Sequence, residues 1–118
     1  PTGDGQLTAL HFLSIVSKYG TPVSSLIGEI RRYPQVLINV PGPYAAAEKT
    51  ALIASDDVQA AIRQEEAALG ENGRILVRPS GTEALLRVMV EAKEEATAQN
   101  VAEHLAKVIE NAQKLRAI

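Results

Sequence analysis

The sequence predicts an α+β domain, in which an antiparallel or mixed sheet has helices packed on one face. Short runs of alternating or β-branched residues at 36–40, 74–78 and 85–91 predict strands. Apolar residues at helical spacing predict helices over about 56–69 and 94–115. The resulting order of strand, helix, strand, strand, helix is typical of a layered α+β domain.

Two further helices are predicted before this domain. Residues 6–19 have apolar side chains at helical spacing, Asp4 or Thr2 can cap the start, and Gly20 is a plausible left-handed stop. Thr21-Pro22 then opens a second helix with a hydroxyl cap and a proline in the first turn.

The second helix is expected to end at residues 31–33. Tyr33 precedes Pro34, and a residue before proline is pushed away from helical geometry. A domain boundary is therefore predicted near residues 20–35.

The strand at 36–40 is followed by a segment whose structure the pattern leaves open. Pro41-Gly42-Pro43 ends the strand, and residues 41–55 fit either a loop or a loop followed by a helical turn. Asp56 is a candidate cap for the next helix, with Gln59 as its capping-box partner.

The strands at 74–78 and 85–91 are joined by a short loop, which predicts an antiparallel pair. Alternation along the second of these strands places Leu86, Val88 and Val90 on the face opposite Arg87. The last helix has an apolar stripe that consists of Ala98, Val101, Leu105, Val108, Ile109, Ala112 and Leu115.

Composition excludes several classes of function. A net charge of −2 gives no general case for binding nucleic acid or an anionic membrane, and the absence of cysteine excludes thiol catalysis and cysteine-based metal sites. No apolar run approaches the roughly 20 residues of a membrane span, and no signal peptide is visible, so we expect a cytoplasmic protein. His11 and His104 stand alone, without a second ligand at metal spacing, and we expect no metal site at either.

The loop between the two strands has the composition of an anion-binding site. Arg78 offers a planar fork of donors, and Ser80 and Thr82 each offer a hydroxyl. Gly81 lets backbone N–H groups approach closely. Arg87 follows nine residues after Arg78, so an antiparallel pair brings both guanidinium groups to one end of the sheet.

Two neighbouring positions and one alternative complete this interpretation. Pro79 stiffens the loop, and Glu83 fits a phosphate poorly, so it is expected to orient an arginine or to bind a substrate hydroxyl. Composition alone leaves open an ordinary hairpin connection, because Ser, Gly, Thr and Pro are favoured in turns.

Three stretches carry a resemblance to a known family. Residues 74–92 (RILVRPSGTEALLRVMVEA) closely resemble the C-terminal phosphate-binding loop of the α-D-phosphohexomutase superfamily. Residues 33–40 (YPQVLINV) and 2–10 (TGDGQLTAL) resemble the same enzymes, and together they favour the bacterial phosphoglucosamine mutase branch over the phosphomannomutase/phosphoglucomutase branch.

The resemblance implies that the chain is the last part of a four-domain enzyme. Residues 1–32 are then the helical end of the third domain with a linker, and residues 33–118 are the C-terminal phosphate-binding domain. That domain is expected to have about four strands in a TATA-binding-protein-like fold.

The family enzymes interconvert glucosamine 6-phosphate and glucosamine 1-phosphate through a phosphoserine in the first domain. The resemblance assigns Mg²⁺ to an Asp-rich loop of the second domain, so neither a cofactor nor a catalytic residue is expected in this chain. Its expected partners are a sugar phosphate and the other domains of the enzyme, not a nucleic acid or a membrane.

The family's motif assigns roles to individual positions. Arg78, Ser80, Gly81 and Thr82 match the positions that hold the non-reacting phosphate, and Arg87 matches a further substrate-binding arginine. The clear departure is Ala84, where the family usually has proline, and we expect it to loosen the exit of the loop.

Three interpretations follow. The first is a phosphohexomutase fragment that binds sugar phosphate but does not turn it over alone. The second is a free-standing anion-binding regulatory module, and the third is a structural interaction domain whose loop has no ligand.

Overall fold

The structure is a computed structural model that describes residues 3–28, 32–43 and 45–116. The chain forms two compact units, Pro1–Arg32 and Tyr33–Ile118. The assignment of the first unit to the end of a preceding domain stays a prediction.

The first unit begins with helix α1, Gly5–Tyr19. Its start is capped by Asp4, whose Oδ1 accepts a hydrogen bond from the backbone N–H of Leu7 at 2.9 Å. Its end is Gly20, which is left-handed with φ 62°. The predicted cap and stop are both confirmed, and α1 has no buried residue.

Helix α2 is described over Val23–Gly28. The sequence places its end at residues 31–33, but the described helix ends at Gly28 and Arg32 is not helical. Residues 29–31 lie outside the described part of the chain.

The described residues of the second unit form three strands and three α-helices. They follow in the order β1 Gln35–Pro41, α3 Ala46–Ile53, α4 Asp56–Leu69, a 3₁₀ turn Gly70–Asn72, β2 Gly73–Pro79, β3 Leu85–Ala92 and α5 Glu95–Arg116.

The sheet of this unit has the order β1-β3-β2, and both pairings are antiparallel. The α+β fold is therefore confirmed. The described residues form three strands, where the family resemblance implied about four. The segment after β1, which the sequence pattern left open between a loop and a helical turn, contains the helix α3.

One face of the sheet carries the core and the other is open. Strand β3 is central, and its inward side chains Leu86, Val88, Val90 and Ala92 are buried. Helices α4 and α5 pack against this side, while Leu37 and Leu76 on the outer side are exposed. The predicted placement of the helices on one face is confirmed.

The predicted capping box at the start of α4 is wrong. Ser55 holds the cap position and Asp56 is the first helical residue. The Ser55 hydroxyl donates to the carbonyl of Leu52 at 2.7 Å, and the Gln59 amide donates to that of Ile53 at 3.0 Å. Both side chains donate hydrogen bonds to carbonyls at the end of α3, because the last carbonyls of a helix have no partner within it.

The predicted stripe of α5 is buried or half-buried as far as Ala112, but Leu115 is 68% exposed. A helix of 22 residues is about 33 Å long. A strand of eight residues spans about 27 Å. The helix is therefore longer than the strand, and its last turn extends beyond the sheet.

Two leucines on α5 provide a test of this packing. Leu105→Ala empties a site that is 1% exposed, so we expect a loss of about 2–5 kcal/mol in the free energy of unfolding. Leu115→Ala makes the same chemical change at an exposed site and should cost no more than about 0.5 kcal/mol. Urea unfolding followed by circular dichroism measures both, and equal losses would contradict this placement of α5.

Candidate functional site

The segment between β2 and β3 forms a five-residue loop, Ser80–Ala84, at one end of the sheet. The N–H of Ser80 donates to the carbonyl of Leu85 at 3.0 Å and closes the loop at its base. The N–H of Gly42, just after β1, donates to the carbonyl of Ala84 at 2.9 Å. The exit of the loop, which the alanine was expected to loosen, is thus tied to the neighbouring strand end.

Two arginines lie side by side at the base of this loop. Arg78 on β2 and Arg87 on β3 are direct partners in the antiparallel register. Arg78 is exposed and Arg87 is half-buried, and both alternate with the buried residues of their strands. The predicted meeting of these residues at one end of the sheet is confirmed.

Glu83 contacts the second of these arginines. Its Oε2 lies 2.9 Å from Nη2 of Arg87, so the carboxylate orients a guanidinium group. This is the first of the two roles predicted for Glu83. The Nε of Arg87 is buried and has no hydrogen-bond partner in the part of the chain that the structure describes. A donor without a partner therefore lies beside the loop.

At the opposite end of the same sheet face, an arginine and a glutamate form a salt bridge with each other. Arg74 and Glu91 form two hydrogen bonds of 2.6 and 3.0 Å. The bond from Arg74 lowers the pKa of Glu91 below its ordinary value, and the bond to Glu91 raises the pKa of Arg74. The stabilisation from this pair is therefore present above the ordinary glutamate pKa and is lost as the pH falls through the lowered one.

Arg78 differs from the other two arginines of this face. Arg74 is paired with Glu91 and Arg87 with Glu83, whereas no carboxylate within the described ranges lies within ion-pair distance of Arg78. The positive charge of the two arginines at the base of the loop is therefore only partly balanced by carboxylates of the described residues.

Ser80 is 3% exposed, and its hydroxyl is turned towards the loop itself. Its Oγ accepts a hydrogen bond from the N–H of Glu83 at 3.3 Å and lies 3.4 Å from Oε2 of the same residue. In this geometry the hydroxyl shapes the loop, and its predicted contact with a phosphate stays a prediction.

Gly81 and Thr82 form the exposed tip of the loop. Within the described residues, neither donates a hydrogen bond from its backbone N–H or, for Thr82, from its hydroxyl. These groups are open to an incoming acceptor. The structure therefore brings together all five predicted site residues at one end of the sheet.

One residue that contacts the loop, Lys49 on α3, was not predicted from the sequence. The side chain is 4% exposed, and its Nζ donates to the carbonyls of Ser80 at 2.6 Å and of Glu83 at 2.9 Å. A signal was present, because Lys49 shares a helix face with Leu52 and Ile53, which pack into the core.

The remaining titratable groups form no second site among the described residues. His104 on α5 lies 2.6 Å from Glu65 on α4, so this histidine, which stands alone in the sequence, joins two helices. No group of three or more His, Asp or Glu side chains in the described ranges is arranged to hold a metal ion. None of the described helices is long and apolar enough to cross a membrane.

The fold and site of the described residues define a class of domain: a three-stranded antiparallel sheet with helices on one face and, at one end, a glycine-containing loop beside two paired arginines. The family model for the C-terminal domain of phosphoglucomutase/phosphomannomutase matches residues 37–108. The chain belongs to this phosphohexomutase family.

Several curated proteins that are similar to this chain are phosphoglucosamine mutases, in agreement with the resemblance found in the sequence. The one from Frankia alni is 47% identical over 108 residues, which is 92% of this chain and 23% of the relative. The one from Nocardioides sp. is 50% identical over 109 residues, again 92% of this chain and 23% of the relative. The chain thus spans about a quarter of the length of the relatives it matches.

A solved structure shows the same fold. N-acetylphosphoglucosamine mutase from Aspergillus fumigatus, crystallised with GlcNAc-6P and magnesium, matches 89% of this chain with 20% of its own length. The TM-score is 0.67 at 22% sequence identity.

Proposed function

We propose that this chain is the phosphate-binding part of a phosphoglucosamine mutase and that its loop holds the phosphate of the sugar that is not reacting. The observation that carries the proposal is the direct cross-strand pairing of Arg78 with Arg87 beside the exposed loop tip. Like charges directly opposite each other destabilise a sheet. An anion placed between them removes that cost.

The donors around this point suit a phosphate. Arg78 has no carboxylate partner in the described part of the chain. The tip adds the N–H groups of Gly81 and Thr82 and the hydroxyl of Thr82. Convergent, charge-assisted donors of this kind are the strong ones for phosphate oxygens.

Such a loop recognises the phosphate without contacting the sugar. In the proposed reaction, glucosamine 6-phosphate and glucosamine 1-phosphate interconvert through a phosphoserine, and the bisphosphorylated intermediate binds in two orientations. A site that grips whichever phosphate is idle serves both orientations. The reacting serine and the sugar contacts belong to other parts of the proposed enzyme.

The isolated chain is expected to bind phosphate weakly and to lack turnover. The loop forms one wall of the proposed cleft, and a partly enclosed ligand must still lose its translational and rotational freedom. The described residues offer no cluster that fits Mg²⁺. The family resemblance assigns the ion to another domain, and we derive no step of this chain through it.

A phosphate titration of the 118-residue chain tests the proposal. In ¹⁵N NMR spectra the amides of residues 80–83 should move most, and Arg78→Ala should weaken binding about tenfold or more, because charge-assisted hydrogen bonds are lost. Arg63→Ala, which removes an exposed arginine from α4, is the matched control and should leave the affinity unchanged. Shifts centred outside the loop, or equal effects of the two variants, would contradict the site.

The choice of sugar needs a separate test. A full-length enzyme that carries this sequence should turn over glucosamine phosphate in preference to mannose or glucose phosphates. A coupled assay that compares kcat/KM for the three substrates measures this. A preference for mannose or glucose phosphate would place the chain in the alternative branch of the family and leave the phosphate loop itself intact.

A further inference from the structure

Lys49 occupies an unusual position for a lysine. It is 4% exposed, and within the described residues it has no carboxylate at ion-pair distance. The only hydrogen-bond partners of its ammonium group there are two backbone carbonyls of the loop, 31 and 34 residues further along the chain. Burial of a cation is costly unless it is paired and hydrogen-bonded. A buried ammonium group directed at two loop carbonyls therefore calls for a functional explanation.

The two hydrogen bonds fix the direction of a peptide plane. In a trans peptide the C=O of one residue and the N–H of the next point in opposite directions, and the described chain has no cis peptide bond. Because the Ser80 carbonyl points at Lys49, the N–H of Gly81 points away from it.

That direction leads away from the helical layer. Lys49 belongs to α3, whose buried residue Leu52 lies in the core on the inner side of the sheet. Arg78 and Arg87 alternate with the inward residues of their strands and so lie on the outer side. The N–H of Gly81 is therefore turned to the same side of the sheet as the two arginines.

We propose that Lys49 is a positioning residue for the phosphate loop. It holds the start and the end of the loop through the carbonyls of Ser80 and Glu83, and so presents the Gly81 N–H to the anion. Its own charge lies beneath the loop, and a phosphate above the loop would provide the counter-charge that the described protein does not. This inference rests on the proposed function, because it names what prepares that same site.

Lys49→Met tests the proposal, because methionine keeps most of the apolar stem and removes the ammonium group. We expect inorganic phosphate to bind at least about tenfold more weakly, through the loss of charged hydrogen bonds that hold the loop. In the absence of phosphate, ¹⁵N relaxation should show larger-amplitude motion at residues 80–84. The amides of α5 should be unaffected.

Two matched variants separate positioning from other effects. Lys107→Met removes the same charge from an exposed site on α5 and should leave phosphate affinity and loop motion unchanged. Leu105→Ala lowers global stability without touching the loop, and it should also leave both unchanged in the folded protein. Loss of binding in either control to the extent seen in Lys49→Met would overturn the proposal.

The wild-type chain provides a test that does not depend on folding of the variant. The ammonium hydrogens of Lys49 should exchange slowly with water. The ¹⁵N resonance of this group should shift in step with the Gly81 amide as phosphate is added. Loop shifts in the wild type with an unmoved Lys49 signal, or with equal affinity in Lys49→Met, would contradict the inference alone. Absence of any phosphate-dependent loop shift in the wild type would contradict the proposed function.

Discussion

The register between β2 and β3 is the constraint on which the rest of this domain depends. It pairs Val77 with Val88 on the inner face and Arg78 with Arg87 on the outer face. Side chains alternate with a period of two, so a slip of one residue would drive arginines into the core and valines into solvent. The burial of β3 between two strands and the helical layer therefore fixes the arginine pair as well as the core.

The loop at the end of these strands is held from several directions. The buried ammonium of Lys49 holds it from the helical side, and the N–H of Gly42 ties its exit to the end of β1. The Ser80 hydroxyl braces it from within. A loop fixed in this way has already lost conformational entropy before it meets a ligand, and such preorganisation favours binding.

Local signals in the sequence predicted most of the fold, and the errors arose where tertiary contacts decide. Alternation in β3 identified its two faces, and the nine-residue spacing of two arginines predicted that they meet at one end of the sheet, where they are direct register partners. The capping box at Asp56 failed because the preceding helix ends there and takes the side chains of Ser55 and Gln59. The position of Lys49 on the helix face of Leu52 and Ile53 was a signal of its burial. Its partners are backbone carbonyls more than thirty residues away, which residue types do not identify.

The central claim is that the loop and the arginine pair form one anion site. A crystal structure of the 118-residue chain soaked with phosphate tests it most directly. We expect one phosphate that is bound jointly by the Gly81 N–H and the guanidinium groups of Arg78 and Arg87, with the Lys49 hydrogen bonds intact. A phosphate ordered elsewhere on the sheet or helices, with the loop unoccupied at the same concentration, would contradict it.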